Sequence, residues 1–209
     1  MSTVVLLHGL ARTRRSLAGL QRHLDALGYE TWSCTYPSRS LGIADLAAWI
    51  SEAIQRDLGD RPLYAVTHSL GGILVRHMPS LPWRGVVMLA PPNQGSRVAA
   101  LLRDHPLFRR FYGPAGQDVA DPSTWPPPPR PFAVIAGTAA PTLGNPTSWG
   151  TRALGLIPAG CPSDGTVLVD EARHPDAAAF VTVPASHTWI MNHPDVRELV
   201  VELLEQLGA

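Results

Sequence analysis

The sequence predicts an α/β fold, one mostly parallel sheet covered by helices on both faces. Two observations carry this. Short runs rich in Val, Leu and Ile alternate with longer amphipathic stretches along the 209 residues, the order expected of strand–helix–strand units. The short runs are also apolar without alternation, as strands buried on both faces must be.

The predicted strands lie at 4–8, 31–36, 62–67, 85–89, 132–137 and 180–183, about six in all for one sheet. Between the first two, 14–27 places Leu17, Leu20, Leu24 and Leu27 on one helical face, with Thr13 as N-cap and Gly28 as the stop. The 43–58 stretch repeats the pattern with Leu46, Ile50, Ile54 and Leu58. A further helix is expected to begin at or just after Ser69. The last runs from Pro194, a residue suited to a first helical position, to Leu207.

One domain covering 1–209 is expected. Within it, 95–131 is the one insertion long enough to form a short cap over a site. It contains Trp125 followed by Pro126 to Pro129, a stretch without backbone donors that reads as a stiff loop; a proline-rich ligand for a partner domain is the remote alternative.

Composition narrows the function classes. Hydrophobic residues make up 45% and charged ones 16%, and 17 basic residues balance 17 acidic ones. The paired arginines Arg14-Arg15 and Arg109-Arg110 sit in no longer basic run, so no nucleic-acid partner is expected. Arg12-Thr13-Arg14-Arg15 offers charge to an acidic substrate group, although surface ion pairing is the commoner fate of such arginines. Two cysteines, Cys34 and Cys161, form neither a disulfide framework nor a metal cluster, and no metal is expected. Met1-Ser2-Thr3 leads into Val4-Val5-Leu6-Leu7 with no signal-peptide pattern, and no apolar run approaches a membrane span; a cytoplasmic protein is expected.

The chemistry concentrates at Thr67-His68-Ser69-Leu70-Gly71-Gly72. An apolar strand precedes it and Ile73-Leu74-Val75-Arg76 follows in helical register. Such a turn holds a serine in a strained conformation with its hydroxyl exposed above the sheet, and it requires small neighbours. The G-x-S-x-G pattern is met except at Thr67, where the first glycine is expected. Taken alone, the pentapeptide fits a helix-capping serine equally well.

A serine nucleophile needs a histidine base and a carboxylate that fixes its tautomer, in the chain order Ser, acid, His. Of eight histidines, His187 fits, since it follows the 180–183 strand and precedes the last helix. His193, beside Pro194, is the rival, and His8, His68 and His77 come too early. Asp164, in an Asp-Gly turn, falls in the acid's interval; Asp170 and Glu171 are the runners-up, and a plain turn aspartate is the bland alternative. Two backbone amides are expected to hold an oxyanion, Leu70 after the serine and Leu10 in the His8-Gly9-Leu10-Ala11 loop after the first strand.

Together His8-Gly9-Leu10, the Ser69 turn, Ala90-Pro91-Pro92-Asn93-Gln94-Gly95-Ser96, Asp164-Gly165 and Ser186-His187 resemble the bacterial lipase/esterase-like branch of the α/β-hydrolase superfamily. That resemblance tolerates threonine at position 67. It implies a sheet lacking the first two strands of larger members, and cleavage of a small-molecule or lipid ester without metal or organic cofactor, by a monomer or homodimer. The short chain, with Leu107, Phe108, Phe111 and Trp189 near the expected pocket mouth, points to small or medium acyl groups; ordinary core is the alternative place for these side chains. Acyl transfer, thioester or amide cleavage by the same three residues, and a non-catalytic binding protein on this scaffold, stay open. Because the base must be neutral, activity is expected to fall on acidification.

Overall fold

The computed structural model describes residues 3–139, 151, 155–158 and 160–209. Six parallel strands form one sheet: β1 (Thr3–Leu7), β2 (Glu30–Ser33), β3 (Leu63–His68), β4 (Trp83–Leu89), β5 (Phe132–Gly137) and β6 (Ala179–Val183). Their order is β2-β1-β3-β4-β5-β6. The chain moves outward from β1 to β2, then returns to pair β3 on the other side of β1. This reversal opens a crevice above the carboxyl ends of β1 and β3, where sheets of this kind hold their ligands.

Alternate residues of the buried strands feed two cores. Val4, Leu6, Val66, Val87 and Ile135 face one side, under α1 (Ala18–Ala26) and α7 (Pro194–Gln206), which contribute Leu20, Leu24, Val196 and Val200. Val5, Leu7, Ala65, Met88 and Val134 face the other, under α2 (Ile43–Leu58) and α3 (Gly71–Leu74), with Leu46, Ile50, Ile54 and Ile73. Each such fully buried aliphatic side chain is worth about 1.5–3 kcal/mol.

Several boundaries differ from expectation. The first helical stretch divides into a 3-10 turn, Arg14–Leu17, and α1, and Leu27 beyond its end is 54% exposed. Thr13 stands at the N-cap position but its side chain makes no capping bond; the Ser16 hydroxyl donates to the Thr13 carbonyl instead. Strand β2 ends at Ser33, because the chain then leaves the sheet edge to bring Tyr36 onto His8. The helix after Ser69 is a single turn, α3, continued by 3-10 residues Val75–His77.

The 95–131 segment is largely helical, with α4 (Arg97–Leu102) and α5 (Pro106–Asp118) followed by a 3-10 turn at Pro122–Thr124. Helix α5 bends at Gly113, whose backbone is non-helical, ahead of Pro114. Helix α6 (Val169–Ala172) precedes β6. No described helix is long and apolar enough to cross a membrane.

Candidate active site

Ser69 follows the last residue of β3 and takes a left-handed backbone conformation, φ 53°. For a residue with a Cβ this costs about 1 kcal/mol or more and persists only where the surroundings enforce it. Here they do. The Ser69 N–H donates to the Leu89 carbonyl of β4 at 2.9 Å, and the Gly72 N–H closes the turn onto the Ser69 carbonyl at 2.9 Å. Gly71 packs against β1 so closely that a Cβ would stand 2.6 Å from the Leu7 carbonyl oxygen. Thr67 is buried at the end of β3 with its hydroxyl beside Gly72.

Three side chains converge at the turn. The His187 Nδ1–H donates to Asp164 Oδ2 at 2.7 Å. That fixes the tautomer, since an ionised carboxylate only accepts, and leaves Nε2 to receive the Ser69 hydroxyl proton at 3.1 Å. Asp164 is 1% exposed. Its other oxygen accepts from the Thr166 and Val167 amides at 2.9 and 2.7 Å, so the carboxylate is held by its own turn. The His187 main-chain N–H also donates to the Asp164 carbonyl at 3.0 Å, tying the two loops together.

The rivals stand elsewhere. Asp170 is exposed and pairs with Arg173, and His193 lies near Asp195. Glu171 uses one oxygen to accept from the Arg97 amide at the start of α4 and the other from the Leu168 amide at the start of α6. Burial pushes its carboxyl upward.

Leu10 lies in a turn closed by the Arg12 N–H on the Gly9 carbonyl at 3.3 Å, with Ala11 at φ 56°. Gly9 is required because a Cβ there would stand 2.7 Å from His68 Nδ1 and 3.3 Å from Ser69 Cβ. His8 anchors the loop. Its Nε2 accepts from the Tyr36 N–H at 3.3 Å, its ring stacks on Tyr36 at 3.7 Å, and the Tyr36 hydroxyl donates to its carbonyl. Burial holds the His8 imidazole down at about 4. Among the described residues, neither the Leu10 nor the Leu70 amide donates to a backbone acceptor.

Two neighbours stand beside these three, of which sequence reading passed over His68. His68 is buried, its ring 4.8 Å from that of His187, and its Nε2–H donates to the His187 carbonyl at 3.0 Å. Burial holds His68 well below the ordinary imidazole range. Its position beside Ser69 was the available signal. Arg12 lines the site as well, and burial lowers its guanidinium.

Ser69 and His187 open into a cavity of about 440 Å³. Its walls are mainly apolar, including Leu10, Leu70, Val98, Leu102, Phe108 and Val167. Of the four aromatic and aliphatic residues expected at the pocket, Phe108 lines it. Leu107, Phe111 and Trp189 are 63, 60 and 53% exposed and do not. The cause is helical phase: Phe108 and Tyr112, spaced by four ahead of the bend at Gly113, face inward, which turns Leu107 and Phe111 to the outer side of α5. Trp189 is turned out where the chain enters the 3-10 turn Ile190–Asn192, while Ile190 and Met191 are buried.

No family model matches the sequence, and a search of curated proteins returns no match. Solved structures do match. Lipase BlEst2 of Bacillus licheniformis in its mature form is 21% identical, covers 97% of this chain and 91% of its own, and superimposes with a TM-score of 0.73. A methylesterase from Arabidopsis is 14% identical over 98% of this chain and 99% of its own, TM-score 0.62. Phospholipase PlaB of Legionella pneumophila is 16% identical over 99% of this chain and 64% of its own, TM-score 0.65.

The chain has the α/β-hydrolase fold. Within that α/β-hydrolase sheet, Ser69 follows β3, Asp164 lies between β5 and β6, and His187 follows β6, all at the carboxyl edge. The described residues include no group of three or more His, Cys, Asp or Glu side chains able to hold a metal, and Cys34 and Cys161 are free thiols. Burial raises Cys34 to about 11, which makes it a poor nucleophile at neutral pH.

Proposed function

We propose that this protein is a serine hydrolase that cleaves carboxylic esters of small to medium acyl groups through an acyl-enzyme. The observation that carries the proposal is the unbroken hydrogen-bond chain from the Ser69 hydroxyl through the His187 ring to Asp164, opening on an apolar cavity.

The serine Oγ attacks the ester carbonyl while His187 Nε2 removes its proton. Asp164 keeps the imidazole oriented and stabilises the imidazolium that forms. The tetrahedral oxyanion is held by the amides of Leu10 and Leu70, each such donor being worth about 3 kcal/mol of barrier. Departure of the alcohol takes a proton from His187. Water then attacks the acyl-enzyme with His187 again as base, releasing the acid and restoring Ser69. The acyl chain occupies the cavity under α4 and α5, and the 95–131 segment serves as a short cap.

A panel of p-nitrophenyl esters from acetyl to dodecanoyl tests the reading. Turnover is expected to peak at small or medium chains and to vanish in Ser69→Ala, together with covalent labelling by a fluorophosphonate. A folded Ser69→Ala variant with undiminished turnover would falsify it.

A further inference from the structure

Lined by the same Leu10–Arg12 turn as the apolar cavity is a second cleft of about 520 Å³, and its character is reversed. Three arginines line it, Arg12, Arg39 and Arg110, with the hydroxyl-bearing Thr13, Thr35, Ser38 and Ser40, and no carboxylate. Arg12 belongs to both walls, so the cleft borders the Ser69 site.

The three guanidiniums converge from separate parts of the chain, and among the described residues none lies within 4 Å of a carboxylate. The arginine ion pairs of those residues, Arg56–Asp57, Arg61–Glu30, Arg130–Asp176 and Arg173–Asp170, all lie elsewhere. Arg12, half-buried, has the Met191 sulfur at 3.9 Å as its side-chain contact. Arg39 donates through Nε to the Phe111 carbonyl at 2.6 Å and lies over the Phe111 ring, which brings α5 and Arg110 to the third side of the cleft. The walls are fixed in advance: the Ala11 N–H donates to the Ser38 hydroxyl at 3.0 Å and the Arg14 N–H to the Thr35 hydroxyl at 3.2 Å. Cations gathered without a counter-charge repel one another, Arg12 from a half-buried position and Arg39 and Arg110 from exposed ones, and a bound anion removes that cost. Three guanidiniums flanked by hydroxyl donors suit a dianion with several acceptor oxygens better than a single carboxylate.

We infer that the leaving alcohol of the physiological ester carries a phosphate monoester, which docks between Arg12, Arg39 and Arg110 while the acyl chain enters the apolar cavity. The inference rests on the hydrolase reading of Ser69 and names its substrate class. The bond broken is the acyl C–O ester bond. The acyl group passes to Ser69 Oγ, the phosphate-bearing alcohol leaves with the proton from His187, and water yields the free acid. The phosphate itself is not cleaved. The phosphate-bearing alcohol belongs either to a soluble metabolite or to a lysolipid.

The test compares hexanoylglycerol, hexanoylglycerol 3-phosphate and oleoylglycerol 3-phosphate. The wild-type protein should favour a phosphate ester over its neutral counterpart by about tenfold or more in kcat/KM at low salt, mainly through KM, and lose that preference as salt rises. Greater activity on the hexanoyl phosphate marks a soluble substrate, and on the oleoyl phosphate a lysolipid. Arg39→Gln with Arg110→Gln should bring the preference close to unity, whereas Arg61→Gln, which removes an equal charge at the far end of the sheet, should keep it. Separately, glycerol 3-phosphate but not glycerol should raise the melting temperature of Ser69→Ala, and the arginine substitutions should abolish the rise. If neutral and phosphate esters react alike and glycerol 3-phosphate gives no shift, the cleft proposal fails while the hydrolase stands. If no ester reacts but the arginine-dependent shift persists, the anion site stands and the hydrolase reading fails.

Discussion

Ser69, Asp164 and His187 stand on loops whose backbone is bonded to the sheet and to one another, whereas α4 and α5 are anchored above them chiefly through side chains. The floor is held by bonds such as Ser69 N–H to the Leu89 carbonyl and His187 N–H to the Asp164 carbonyl. The cover depends on Glu171 at the Arg97 amide, Arg39 at the Phe111 carbonyl and Asp118 at the Ile43 amide, and it exposes Leu101, Leu107 and Phe111. Backbone bonds hold positions to the tolerance that bond-making needs, and side-chain contacts can be rearranged at small cost. Substitutions in the floor should therefore change rate, and substitutions in the cover should change which ester is preferred.

The largest effect should come from Ser69→Ala, a fall in kcat of about 10⁴-fold or more on p-nitrophenyl butyrate with an unchanged circular dichroism spectrum. Asp164→Asn should follow, with kcat down by roughly 10⁴-fold and KM little altered, because the amide stabilises the wrong imidazole tautomer. A large KM change in either variant would mean that the floor also selects substrate.

Stability should respond to pH through the same floor. His8 is held at about 4 in the folded protein, below the ordinary imidazole value of ~6.5. The unfolded chain therefore binds more protons between these values. Stability is full above pH ~6.5 and declines as pH falls toward about 4, by about 3 kcal/mol from this group alone. His68, shifted the same way, adds to the slope. Urea unfolding at half-unit pH intervals measures it; a flat profile would detach the loop after β1 from His8 protonation.

In the cover, Ala99→Leu should narrow the cavity and move the acyl optimum to shorter chains by about tenfold in relative kcat/KM. Smallest of all, Leu107→Ser on the outer side of α5 should leave soluble-ester kinetics and stability within about 0.5 kcal/mol. A specificity change there as large as that from Ala99→Leu would erase the distinction between the inner and outer sides of α5.

The same division explains what the sequence makes legible. Strand order and the Ser69 turn follow from local signals, because an apolar strand, a short turn and a helix are neighbours in the chain. The hydrogen-bond contact of Asp164 with His187 joins residues whose place was set by element order alone. Phe108 and Phe111 could not be sorted without the helical phase of α5, which Pro106, Gly113 and Pro114 obscure. The arginine cleft was the least accessible, since Arg12, Arg39 and Arg110 approach one another only after β2 leaves the sheet edge and α5 folds back over it.

The double tether between Asp164 and His187, ring to carboxylate and main chain to main chain, makes acid and base travel as one body. With the His187 carbonyl also held by His68, beside Ser69, breathing of the site should lengthen the side-chain contact to the Ser69 hydroxyl first and spare the imidazole's bond to its carboxylate. A strongly deshielded Nδ1 proton resonance should accordingly survive in Ser69→Ala and disappear in Asp164→Asn.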